Sequence, residues 1–317
     1  MSDKVHWVIP GAALALEARP QASASHEAAP LPNLRRLLGA MTPTARLELP
    51  EDSPALPHEM LLARLHGLAG EPGHVPWTAF EQGIAGTPCA TLKLCHWQVG
   101  TDNVMLSPPD ALGLKAEDAR TLLAAMSPYF DEDGITLAEV PNQPGSWLAT
   151  GEPLRDLATI SLDRAVGKRL TRSFFEAKGV SAALIRKLQN EMQMLLYTHP
   201  VNDDRAARGQ QPVNSFWIHG SGRYTGPAPS TSAPIVADDL RQPALQRDWA
   251  QWARAWHQVD QGACSQLLAE LQADRPASLV LCSERHALVF EKRPAGWVER
   301  LRRRFNTASL QQYAPQL

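Results

Sequence analysis

A layered α/β domain is the fold the sequence predicts, and three observations predict it. Apolar runs of strand length, such as Val5 to Ile9 and Val213 to His219, recur along the chain. Between them lie longer stretches whose apolar residues return at helical spacing, so strand and helix alternate several times. The 317 residues, 44% hydrophobic and 20% charged, suffice for a large core in one domain or two. The expected division is an α/β domain over residues 1–225, then a C-terminal helical region with a hairpin over 235–317, packed on the same domain. The clearest linker, Tyr224 to Pro234, is rich in Pro, Ser and Thr.

The elements follow in order. Val5 to Ile9 reads as a first strand that stops at Pro10-Gly11, and residues 17–32 read as a surface loop. Leu34 to Met41 is a short helix with Asn33 as its cap. Residues 42–57 are rich in proline and read as irregular. His58 to Leu68 is helical, with Met60, Leu61, Leu65 and Leu68 on its apolar face. Ala90 to Val99 is a strand that turns at Gly100 into a second. Lys115 to Tyr129 is a helix, and Ile135 to Val140 pairs with Ser146 to Ala149 around a turn at Asn142 to Gly145. Residues 151–180 are mixed. Leu245 to Gln272 is a long helical region broken near Gly262. It places Trp249, Trp252 and Trp256 on one face, which suits helix packing or a partner surface. Ser278 to Cys282 and His286 to Glu291 form a hairpin. Trp297 to Phe305 is a last helix whose arginines form a solvated face.

The most informative stretch runs from Leu184 to Arg223. Leu184, Ile185, Leu188, Met192, Leu195 and Leu196 make one buried helix face, and His199-Pro200 ends that helix. A polar connector from Asn202 to Gln211 leads into the strand Val213 to His219, and Gly220, Ser221 and Gly222 form a turn before Arg223. Two readings compete. In one, the backbone amides of Gly220 to Gly222 with Arg205, Arg208 and Arg223 hold a phosphate or carboxylate. In the other, Asn202 and Asn214 tie loop backbone together, and the arginines pair with Asp203 and Asp204.

Several function classes recede. The formal net charge of −2 gives no nucleic-acid surface. No apolar run approaches the roughly 20 residues of a membrane span. The opening residues, broken by His6 and Pro10, do not read as a secretory leader. Four widely spaced cysteines, Cys89, Cys95, Cys264 and Cys282, read as free thiols in a reducing cytoplasm. No phosphate-binding loop, zinc-protease helix, calcium loop or nucleophile elbow is present. His96 near Asp102 has the residue types of an acid–base pair, or of a histidine bonded to backbone. Ser53, beside Asp52, is a turn residue unless a base or metal ions lie close by.

HWQVGTDNVMLSPP, the segment Leu188 to Arg223, and Asp239, Leu240 and DWAQWARAW resemble the RpfE-type regulatory protein family. Within that segment, Asn202, Arg205, Gly209, Asn214, Gly220 and Gly222 are similar to a motif of archaeal-type cofactor-independent phosphoglycerate mutases. VHWVIPGAA resembles the opening strand of that superfamily, LPNLRRLLGAM resembles an early helix, and Asp52-Ser53 falls near its serine nucleophile. The resemblance implies an alkaline-phosphatase-like α/β fold. It also implies two divalent ions held by Asp and His, with an Asp-Gly ending the first strand. Here Pro10-Gly11 stands at that place, the late Asp and Gly-His motifs have no counterpart, and His286 stands alone. Two-metal catalysis needs both ions about 4 Å apart.

The sequence therefore points to a mutase-related regulatory or ligand-binding protein without the two-metal centre and with no cofactor. Its expected small phosphorylated or carboxylate ligand would meet Asn202, Arg205, Arg208, Asn214, His219, Gly220, Gly222 and Arg223. The alternative is an active mutase or phosphatase, with Ser53 as nucleophile and manganese or zinc on Asp102, His96, His199 and His219. A third reading is a protein partner held by the Trp249, Trp252 and Trp256 face.

Overall fold

The computed structural model describes residues 4–13, 31–100, 103–171, 180–226, 233–292, 310–313 and 316–317. In chain order the elements begin with β1 (Val5–Ile9), α1 (Pro32–Ala40), β2 (Met41–Glu48), α2 (Pro57–Leu65), α3 (Trp77–Glu81), β3 (Cys89–Cys95), β4 (Trp97–Val99) and β5 (Asn103–Leu106). Next come α4 (Ala116–Glu132), β6 (Thr136–Glu139), β7 (Ser146–Thr150), α5 (Leu162–Ala165), β8 (Arg169–Thr171), α6 (Val180–Tyr197), α7 (Pro200–Ala207) and β9 (Ser215–Gly222). The last are β10 (Ile235–Val236), α8 (Arg241–Gln246), α9 (Trp249–Val259), α10 (Ser265–Gln272), β11 (Ala277–Cys282), β12 (His286–Lys292) and α11 (Leu310–Tyr313).

The chain divides into two compact units, one within Met1–Glu51, Leu56–His66 and Pro229–Leu317, the other within Asp52–Ala55 and Gly67–Ala228. This differs from a division at 1–225 and 235–317. The reason is strand pairing: β1 lies between β10 and β11, so the first residues join the C-terminal region.

The first unit is a five-stranded sheet in the order β10-β1-β11-β12-β2, with β10, β1 and β11 parallel and β12 antiparallel to both its neighbours. Every residue of β11 is buried, as a strand covered on both faces requires. Trp7, Ile9, Leu279, Leu281 and Phe290 face a core shared with α1, α9 and α10. Val8, Val280 and Ala287 face Leu61, Leu62 and Leu65 of α2. Helices thus cover both faces of the sheet, which is the predicted layered α/β arrangement within one unit. The proline-rich run expected to be irregular contains β2. Pro43 is tolerated because β2 is an edge strand and Pro43 sits where the register shifts, so the missing N–H breaks no ladder bond.

The long C-terminal helical region is interrupted by a π-helical turn at Asp260–Cys264, around Gly262. That turn aims the buried Asp260 carboxylate at the start of α1. Oδ1 accepts from the Leu34 N–H at 2.7 Å and Oδ2 from the Asn33 N–H at 3.3 Å, while the Asn33 side chain donates to the Asp260 carbonyl at 3.0 Å. Asn33 is therefore not the cap; a residue 226 positions away supplies it. Two residues of the Trp stripe, Trp252 and Trp256, face inward. Trp256 is buried, Trp252 packs edge-on to it at 6.0 Å, and the Trp252 indole donates to the Gly11 carbonyl at 2.7 Å.

The second unit is an antiparallel sheet in the order β6-β7-β3-β9, with a smaller β4-β5-β8 sheet. The β6–β7 hairpin is as expected, with Asn142 and Gly145 at positive φ in its turn. α4 and α6 contribute Met126, Phe130, Leu188 and Met192 to the core on one face of the larger sheet. Trp217, Trp97 and Cys95 belong to a separate cluster on the other face. The arginine-rich segment Trp297 to Phe305 lies outside the described residues.

Replacing Asp260 removes a charged acceptor from two helix-start donors, one buried and one half-buried. Asp260→Ala is expected to lower stability by about 2–3 kcal/mol in urea unfolding, with Asp260→Asn losing less because its amide oxygen still accepts. A loss below about 0.5 kcal/mol for the alanine variant contradicts the cap.

Candidate functional site

The residues singled out in the sequence lie in the second unit, along α6, α7 and β9. α6 buries Ile185, Leu188, Met192 and Leu196, as its stripe predicts, and ends at Tyr197 before Pro200. The expected polar connector is instead mostly the helix α7. Pro200 both stops α6 and starts α7, because its fixed φ suits the first helical position. His199 caps the new helix, its Nδ1 accepting from the Val201 N–H at 3.2 Å. Gly209, at φ +67°, closes the helix in a left-handed turn, and the Gln210 N–H returns to the Arg205 carbonyl at 2.9 Å.

Asn202 is buried and fully engaged. Its Nδ2 donates to the Leu196 and Val213 carbonyls, each at 2.7 Å, and its Oδ1 accepts from the Val213 N–H at 2.8 Å. It ties the end of α6 to the start of β9. Asn214 does the same for Trp97, accepting from its N–H at 2.7 Å and donating to its carbonyl at 2.9 Å. Arg205 has no exposed surface; Nε donates to the Gln211 carbonyl at 2.8 Å and Nη2 to the Leu112 carbonyl at 2.6 Å. Its Nη1 is buried with no partner among the described residues. Burial lowers its pKa, and the Asp118 carboxylate opposes that shift. Arg208 is exposed and pairs with Asp118 at 3.3 Å, not with Asp203 or Asp204. Arg223 is exposed at the end of β9.

Gly220, Ser221 and Gly222 belong to β9 itself rather than to a turn after it. His219 pairs with Thr91 and Gly222 with Cys89, so the strand carries an extra residue there, a bulge. Gly220, at φ +65°, packs against α3: a Cβ on it would lie 2.7 Å from Thr78 Oγ1 and 3.2 Å from Trp77 Cβ. Gly222 meets Pro76 in the same way. The glycines serve close packing, Arg205 reaches the Gln211 and Leu112 carbonyls, and Arg208 reaches Asp118. Asn202, Asn214 and Arg205 are thus engaged by backbone groups, whichever ligand the segment meets.

Ser53 is buried in a tight turn, its hydroxyl donating to the Ala55 carbonyl at 2.9 Å. Its own carbonyl accepts from Arg164 Nε at 3.0 Å. His96 Nδ1 donates to the Pro212 carbonyl at 2.8 Å, the backbone-bonded option for that histidine. Asp102 lies outside the described residues. His219 follows Ile218, which faces the helix-covered core, so alternation turns His219 to the opposite face from α6, whose end leads to His199. Among the described residues, no three His, Cys, Asp or Glu of one unit bring ligand atoms within 4.8 Å of one another.

His219 has different neighbours from those expected. It lies opposite Thr91 on β3, and Lys93, opposite Trp217, is its diagonal neighbour on the same face. Its ring Nε2 is buried and has no partner among the described residues. Burial, and then the Lys93 charge, hold its pKa down at about 4, against a weaker opposite pull from Asp163. Sequence reasoning missed Lys93 and Thr91. The signal lay in CATLKLC, where Thr91 and Lys93 alternate with the apolar Ala90, Leu92 and Leu94.

No protein-family model matches the chain, and no curated protein matches it. Several solved structures resemble it, two of which follow. One is the cofactor-independent phosphoglycerate mutase from Thermoplasma acidophilum DSM 1728, 15% identical over 93% of this chain and 91% of that one, with a TM-score of 0.32. The other is the PH0037 protein from Pyrococcus horikoshii, 11% identical over 92% and 88%, with a TM-score of 0.42. At these values they assign no activity to this chain. The RpfE-type resemblance rests on the sequence alone. No helix among the described residues is long and apolar enough to cross a membrane.

The depressed pKa of His219 makes a prediction about pH. The unfolded chain protonates this histidine near 6.5 and the folded chain only near 4, so the unfolded state binds more protons between those values. Its contribution is complete above pH 6.5 and is lost as pH falls toward 4. Between pH 7 and pH 4, wild type is expected to lose on the order of 2 kcal/mol more than His219→Gln in urea unfolding. Equal losses in the two proteins contradict this placement.

Proposed function

We propose that this chain is a phosphoglycerate-mutase-related regulatory or ligand-binding protein, built on a degenerate alkaline-phosphatase-like domain and without that superfamily's two-metal centre. The observation that carries the reading is the donor set after β1. Where the resemblance places a metal-binding Asp-Gly, this chain has Pro10, Gly11, Ala12 and Ala13. The Gly11 carbonyl is taken by the Trp252 indole, and the Ala12 N–H donates to the Cys282 carbonyl at 2.7 Å. Ala12 and Ala13 are buried in the apolar core. Neither a carboxylate nor an imidazole stands there to hold a divalent ion, so the residues present do not fit that group.

Ser53 supports the same reading. A serine nucleophile needs a base or a metal to take its proton. The Ser53 hydroxyl instead gives its hydrogen bond to Ala55. Its free buried cysteines suit a reducing cytoplasm.

The test is enzymatic. Purified protein supplied with manganese or zinc is expected to interconvert 2- and 3-phosphoglycerate no faster than its Ser53→Ala variant. Metal-dependent interconversion that Ser53→Ala abolishes overturns the reading.

A further inference from the structure

The five-stranded sheet of the first unit ends at β2, and among the described residues no strand pairs with its outer edge. Thr44, Ala45, Arg46 and Glu48 are exposed there. An open edge is a template for another strand unless something blunts it. The first half of β2 is blunted. Pro43 has no N–H, and Thr44 is the extra residue of a bulge, its hydroxyl donating to the Val289 carbonyl at 3.3 Å. The second half, Ala45 to Glu48, carries neither device. We infer that this stretch pairs antiparallel with the same stretch of a second copy of the chain, joining the two sheets edge to edge about a twofold axis at Leu47. The pairing does not depend on whether the chain binds a ligand.

Backbone direction and charge select the register. The Leu49 N–H donates to the Arg285 carbonyl at 2.9 Å, so Leu49 faces β12. By alternation Leu47 does the same, and Arg46 and Glu48 turn their N–H and C=O groups to the open side. With Leu47 on the axis, Arg46 of one copy stands across from Glu48 of the other and exchanges both backbone bonds with it, and the symmetry repeats the exchange. Opposite charges then face each other twice, which favours cross-strand pairing. The adjacent registers that also pair outward-facing residues set Arg46 against Arg46 or Glu48 against Glu48. Both side chains are available. Arg46 and Glu48 of one copy lie 3.4 Å apart, but they are 44% and 56% exposed, so that pair is solvated and weak. Glu48 Oε1 lies 3.4 Å from His286 Nε2, which leaves the carboxylate further acceptor positions.

The other face of the strand adds apolar contact. Leu47 is half-buried against Val8, Val280 and Ala287, together with Leu61, Leu62 and Leu65 of α2. Across the axis Leu47 would meet its own copy in a non-hydrogen-bonded pair, where side chains approach most closely. That contact extends the cluster from one copy into the next. The pairing is short at both ends, because Pro50 comes opposite the bulged Thr44 and has no N–H to give. A short pairing of this kind makes a reversible dimer whose population follows protein concentration.

The experiment is analytical sedimentation of the full chain from roughly 1 µM to about 200 µM, with folding of each variant checked by urea unfolding. Wild type is expected to pass from monomer to dimer over that range. Arg46→Glu sets carboxylates across from each other and is expected to weaken the dimer by roughly tenfold or more, while Arg46→Glu combined with Glu48→Arg restores it. Leu47→Cys gives a second readout. Cα atoms of a non-hydrogen-bonded pair lie about 4.5 Å apart, within reach of a disulfide, and the four natural cysteines are buried. Mild oxidation is expected to yield a covalent dimer of that variant and none of wild type. A strict monomer at every concentration overturns the proposal and leaves the edge to a different protein. A dimer that Arg46→Glu leaves intact, that the combined change fails to restore, or that Leu47→Cys does not crosslink also overturns it and places the interface elsewhere.

Discussion

Where one element hands over to the next, backbone donors and acceptors are left inside the protein, away from water, and each must find a partner. The rest of this structure depends on how that demand is met. At three junctions the partner is a single polar side chain. Asn202 spans the end of α6 and the start of β9 with three bonds. Asn214 grips both backbone groups of Trp97. Asp260 receives the first donors of α1 from across the sequence. Arg205 serves two more carbonyls, those of Gln211 and Leu112. An unmet buried group costs about 1–3 kcal/mol, so these side chains are fixed by folding before any ligand is considered.

This explains why the most motif-like stretch of the sequence reads ambiguously. Asn, Arg and Gly at set spacings suit an oxyanion pocket, and they suit a helix-to-strand junction equally well. The residue types are the same because both tasks require donors and acceptors in fixed directions. Only partner identity separates them, and partner identity is long-range: Arg205 finds Leu112, and Asn214 finds Trp97. The polar groups left over after folding has taken its share are the ones open to a ligand.

Much of the fold was legible because periodicity is local. The apolar stripe of α6, the first strand, the β6–β7 hairpin and the β11–β12 hairpin all follow from alternation or helical spacing. Three features were hidden for physical reasons. β2 carries Pro43, a strand breaker everywhere except at an edge or bulge. α7 is short and polar, and Pro200 reads as a stop although it is also a start. The glycines ending β9 resemble a turn, yet their lack of a side chain answers the close approach of α3. The place of His219 beside Thr91 and Lys93 appears only once β3 is paired with β9.

The account turns on Asn202, which the motif offers as a ligand residue and the structure uses as a staple. The deciding measurement is urea unfolding of Asn202→Ala beside its affinity for 3-phosphoglycerate. The account predicts a stability loss of about 2–4 kcal/mol and an affinity within about twofold of wild type for the protein that remains folded. Stability unchanged within about 0.5 kcal/mol, together with lost affinity, would contradict it.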